Sequence, residues 1–166
     1  MNFLKSIICV SVVMVLSACS DNESAQTYIT KAESSILEKQ NNAAIISLKN
    51  ALKIEGKNAH ARFLLGRLYL SAGDAENAVK ELERADTLKY SIEKVLPLLA
   101  RAYMLTGSDA DILDLSKQEA SLPQRSTQYL AYKTMASLRT GDNELAQATV
   151  DTALSLFGSD GYSLLA

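Results

Sequence analysis

One histidine and two cysteines are the side chains of this 166-residue sequence best suited to metal or nucleophilic chemistry. His60 has no second imidazole with which to build a histidine metal cluster or a triad. Its spacing places it on a helix surface. Cys9 and Cys19 both lie near the N-terminus, so the rest of the chain holds neither a free thiol nor a disulfide. Glu81 and Glu83, and Asp109, Asp111 and Asp114, are close enough to be read as acid pairs, but at such spacing they read as charges on solvated helices and turns. No glycine-rich phosphate loop is present. No catalytic residue, metal site or cofactor is therefore expected, and the residues must be read as parts of a binding surface.

The elements that would position such a surface are helices. From His60 to Ala85, Phe63, Leu64, Leu65, Leu68, Tyr69 and Leu70 recur at helical spacing before Gly73, and Ala78, Val79, Leu82 and Ala85 recur after it. This is a helical hairpin, with Gly73 suited to a left-handed closure and Asp74 to capping the second helix. Shifted by thirty-four residues, Gly73 falls on Gly107 and, after a second shift, on Gly141. In the same register Ala32, Gly66 and Ala100 align, as do Ala44, Ala78 and Ala146, Ala51, Ala85 and Ala153, and Leu48, Leu82 and Val150. Small residues thus recur where two helices would cross.

That period, with its small residues, Tyr69 and turn glycine, resembles the tetratricopeptide repeat. The expected fold is all-α, a right-handed solenoid of about four helix-turn-helix repeats at residues 25–58, 59–92, 93–126 and 127–160, with a fifth opening at Gly161. Three details are less regular. Lys39-Gln40-Asn41-Asn42 replaces the first glycine turn, with Asn as the left-handed substitute. Pro97 is placed in the first turn of its helix. In the third repeat Ile112, Ser116 and Glu119 stand where Ala, a large apolar residue and Ala are expected, so the second helix should be shifted, shorter or bent before Pro123. The absence of a polar capping helix after Ala166 suggests a fragment of a longer protein, the alternative being that the last residues pack on repeat four.

Residues 1–18 carry one charge, Lys5, and an apolar run from Ser6 to Leu16. The run is short for a membrane span and suits a secretory signal. Leu16-Ser17-Ala18-Cys19 resembles the lipobox of bacterial lipoproteins, which implies cleavage before Cys19 and acylation of it; an ordinary signal with a chance cysteine is the alternative. Two or three acyl chains would give a stable anchor where one would not. Residues 19–24 then form a short polar tether, and Ser20 after the cysteine suggests the outer membrane, facing the periplasm. Without the signal, 16 basic residues face 19 acidic ones, a balance of minus three with no nucleic-acid footprint.

In tetratricopeptide arrays the first helix of each repeat lines a concave groove. By that resemblance Ile29, Ile36 and Leu37, then His60, Phe63, Arg67 and Leu70, then Lys94, Arg101, Met104 and Leu105, and finally Met135, Leu138 and Arg139 would face it. The expected groove is apolar with a basic stripe, suited to a protein or peptide partner that is helical or extended and carries apolar anchors and acidic side chains. The alternative is that some of the apolar members are core and the arginines merely solvated.

Ala43 to Lys53, Ala61 to Ala85 and Lys94 to Met104, behind the lipobox, resemble the N-terminal part of the large tetratricopeptide-repeat lipoprotein of the PEP-CTERM and exosortase systems. The resemblance implies a scaffold in an envelope system linked to exopolysaccharide production and protein sorting. Two rivals remain: an assembly lipoprotein for type IV pili or outer-membrane proteins, and the non-catalytic arm of a larger envelope enzyme.

Overall fold

The computed structural model describes residues 23–115 and 127–157, and these hold eight helices and no strand. They are α1 (Ala25–Leu37), α2 (Asn41–Ile54), α3 (Ala59–Ser71), α4 (Ala75–Thr87), α5 (Ile92–Thr106), α6 (Asp109–Asp114), α7 (Thr127–Thr140) and α8 (Asn143–Phe157). Consecutive helices pair as hairpins. Each hairpin then packs on the next, with α3 also meeting α5, and α5 meeting α7, along one side of the array. The expected signal segment, Cys19, residues 116–126 and the expected start of a fifth repeat lie outside the described residues.

The turns show why the sequence repeats. Gly73, Gly107 and Gly141 have φ of 81°, 74° and 82°, and Lys39 takes the same place at 60°. The left-handed residue is thus Lys39 and not one of the following asparagines, because Asn41 already belongs to α2. Around these residues the same backbone bond recurs every thirty-four positions, from Gln40, Asp74, Ser108 and Asp142 N–H to the carbonyls of Ser35, Tyr69, Tyr103 and Ser137. It satisfies carbonyls that a helix end leaves free. The amides opening the following helices are capped in the same rhythm: Asn77 donates to Asp74 at 3.2 Å and Leu145 to Asp142 at 2.9 Å. Ser24 and Asn58, also thirty-four apart, cap α1 and α3.

Packing follows the small-residue columns. Ala32, Ala44, Ala51, Ala78, Ala85 and Ala100 are completely buried, as are Leu48 midway along α2 and Leu82 midway along α4. Val150, the last member of the Leu48 column, is 37% exposed, since α7 and α8 form the last hairpin among the described residues. The third hairpin departs from the pattern as its sequence suggests. Ser108 makes no side-chain cap, the buried Ile112 fills the alanine column, and α6 is only six residues long. Pro97 differs from expectation: α5 starts at Ile92, so the ring sits in the second turn, where it deprives the Glu93 carbonyl of its helical donor.

Polar ties join neighbouring elements. Glu81, expected to be solvated, is buried on α4 and accepts from Arg62 at 2.6 Å and from Arg84 at 3.0 Å. Arg62 also donates to the Gly56 carbonyl at 2.8 Å, so one guanidinium fixes the α2–α3 turn against α4. Glu83 is not a free charge either, for Tyr103 donates to it from α5 at 2.7 Å. Asp109 accepts from Arg139 Nε at 2.9 Å, which ties α6 to α7.

Candidate functional site

Along the side formed by the first helices runs a groove of about 610 Å³, bounded by α1, α3, α5, the turn before α5 and the start of α7. Its floor is aromatic. Phe63 stacks on Tyr90 at 4.6 Å between ring centroids, and His60 stacks on the same ring at 5.6 Å with the two planes within 4°. Residues 60 and 63 are one helical turn apart, so α3 presents both rings on one face. Tyr90 comes from the turn before α5, where Lys89 has a φ of 61° and the Tyr90 amide bonds back to Ala85 at 2.9 Å. This left-handed step sets the path on which the Tyr90 ring meets α3.

Charges border the floor. Arg67 Cζ lies 6.0 Å from the Phe63 centroid and Lys94 Nζ 5.9 Å from that of Tyr90, both within reach of a cation–π attraction. Both side chains are exposed, and neither has a carboxylate partner among the described residues. Glu33 lies 3.6 Å from His60, and Glu93 also lines the groove. The border is therefore mixed in charge rather than a purely basic stripe. Ile36 and Leu37 complete the α1 wall, Leu37 standing 85% exposed.

The structure gathers Ile36, Leu37, His60, Phe63, Arg67 and Lys94 into this groove, Phe63 at its base being 6% exposed and also part of the core, and leaves the other expected residues outside it. Ile29 and Leu70, 1% and 4% exposed, belong to the core. Leu70 lies one turn beyond Gly66 and Ile29 one turn before Ala32, so both follow the stripe that packs against neighbouring helices. Met104 is half-buried against the core, while Arg101 and the exposed Leu105 lie farther along α5. Met135 and Leu138 are exposed on α7, and Arg139 is engaged by Asp109. His60 is half-buried in the floor instead of lying on a plain helix surface.

Tyr90, Glu33 and Glu93 were not apparent as groove residues from the sequence. Tyr90 stands in an inter-hairpin turn, outside the helical columns, and Glu33, which shares a thirty-four-residue column with Arg67 and Arg101, and Glu93 fit neither the apolar nor the basic character expected of the groove. An aromatic residue one place before a helix cap was the available signal. Among the described residues no group of three His, Cys, Asp or Glu side chains is placed to hold a metal ion, and no helix is long and apolar enough to cross a membrane.

Comparison with known proteins agrees with this architecture. The tetratricopeptide repeat family model matches residues 35–88, about a third of the chain, from the end of α1 to the end of α4. Among solved structures, a crystal structure from Podosopora anserina, named for a kinesin light chain and described as having nearly identical TPR-like repeats, is similar at a TM-score of 0.62 and 18% identity. The match covers 93% of this chain and 83% of that one. No curated protein matches the sequence. The fold is an all-α solenoid of the tetratricopeptide type.

Proposed function

We propose that the concave groove binds a segment of another protein, helical or extended, which places apolar side chains against Leu37, Ile36 and the Tyr90 ring stacked on Phe63, and acidic ones near Arg67 and Lys94. The observation that carries this reading is the pair of exposed cations held over aromatic rings without a carboxylate partner among the described residues. An apolar floor supplies burial, and charges at its border select the partner and orient it. Tetratricopeptide arrays bind protein partners, and this site is suited to binding rather than catalysis. Phe63→Ala and Arg67→Glu, each in a chain that still melts cooperatively, should weaken partner binding by about tenfold or more, the loss expected of central interface residues. Unchanged affinity in both would place the interface elsewhere.

On this reading the chain is a scaffold held to the cell envelope through a lipidated Cys19, at the outer membrane and facing the periplasm. The Leu16-Ser17-Ala18-Cys19 sequence supports the anchor, and the resemblance of the Ala61 to Ala85 and Lys94 to Met104 segments supports a role in exopolysaccharide-associated protein sorting. Crosslinking of the intact lipoprotein in its native envelope should recover sorting or polysaccharide-export components. Recovery of pilus or outer-membrane assembly proteins instead would contradict that role while leaving the groove intact.

A further inference from the structure

The only histidine of the sequence lies in the groove floor, where its charge bears on every ionic neighbour. His60 Nε2 is 3.6 Å from Glu33 of α1, and its ring is stacked on Tyr90. Arg67 faces the groove from α3, and Glu93 and Lys94 face it from α5. With a neutral imidazole, two carboxylates balance two cations around the floor. With an imidazolium, the cations outnumber the carboxylates. Of the side-chain types in this groove, only imidazole ordinarily changes charge between about pH 5 and 8.

We infer that protonation of His60 regulates the groove, which takes acidic segments more tightly when the imidazole is charged. The inference rests on reading the groove as a site for acidic segments. Its mechanism is electrostatic: the imidazolium offsets Glu33, the carboxylate that otherwise repels an incoming acidic side chain. The stack on Tyr90 suits either form of the ring, since an aromatic face also attracts a cation. Protonation thus alters the charge of the floor without requiring a new shape.

The test uses two labelled synthetic peptides with the same leucine stripe, one flanked by glutamates and the other by glutamines. Anisotropy titrations are made at about pH 5.5 and about pH 8, either side of the ordinary imidazole range. The wild-type chain should bind the glutamate peptide about two- to five-fold more tightly at the lower pH, the range that partly exposed ion pairs supply. His60→Gln should remove that ratio, Glu33→Gln should tighten binding at the higher pH, and the glutamine peptide should show no pH dependence. Equal wild-type affinity at the two pH values, or a ratio that persists in His60→Gln, overturns the inference and leaves the groove reading standing. Absence of any preference for the glutamate peptide at both pH values overturns the acidic-segment reading, and this inference with it.

Discussion

At Tyr103 a single hydroxyl joins two hairpins, donating to Glu83 at 2.7 Å across the α4–α5 boundary. Burial first, and then the hydrogen bond to the Glu83 carboxylate, raises the Tyr103 phenol above its usual range. The folded chain therefore holds this proton more tightly than the unfolded chain. The stabilisation is complete below about pH 10, the ordinary tyrosine value, and is lost as pH rises beyond it. Melting temperature should accordingly fall more steeply above about pH 10 in the wild type than in Tyr103→Phe; parallel pH profiles would contradict the assignment. Single residues were also where the sequence was hardest to read. The columns located the turn at Lys39 but suggested an asparagine for the left-handed place, and nothing in the helical period pointed to Tyr90. Both residues owe their roles to turn geometry, which apolar spacing does not encode.

At the scale of elements, Gly66 shows how closely the helices of a hairpin approach. A Cβ built there would lie 2.7 Å from Leu82 Cγ and 3.2 Å from the Leu82 backbone nitrogen, so the contact involves more than a flexible side-chain tip. Alanine favours a helix interior over glycine by about 1 kcal/mol, whereas overpacking a core costs about 1–3 kcal/mol. Gly66→Ala should therefore destabilise the chain by about 0.5–2 kcal/mol in urea unfolding, and a stabilised variant would show that α3 and α4 lie farther apart. The hairpins themselves were legible because turn glycines, caps and buried alanines repeat together. The third hairpin was legible as an irregularity: Ile112 in an alanine column and the uncapped Ser108 accompany the short α6. Buried polar ties were not legible. Glu81 looked solvated because its partner Arg62 stands nineteen residues away on another helix, a contact that only the hairpin geometry creates.

For the whole molecule, the solenoid turns one side of its first helices into a continuous surface, and the groove lies where α1, α3, α5 and the start of α7 converge. The sequence indicated that surface through the repeat register and identified six of the thirteen residues that line it as groove members. It overextended the groove to Ile29 and Leu70 because the helix stripes facing the core and the groove are adjacent, and a repeat position alone does not separate them. The central claim is that a partner segment occupies this groove. The most direct measurement places a photo-crosslinking side chain at Arg67 or Lys94 in the full chain, with the same side chain at the exposed Lys80 on α4, outside the groove, as the comparison. After irradiation in the native cells, discrete adducts should form from Arg67 and Lys94, be lost in Phe63→Ala, and be absent from Lys80. Adducts from Lys80 with none from Arg67 or Lys94 would contradict the account.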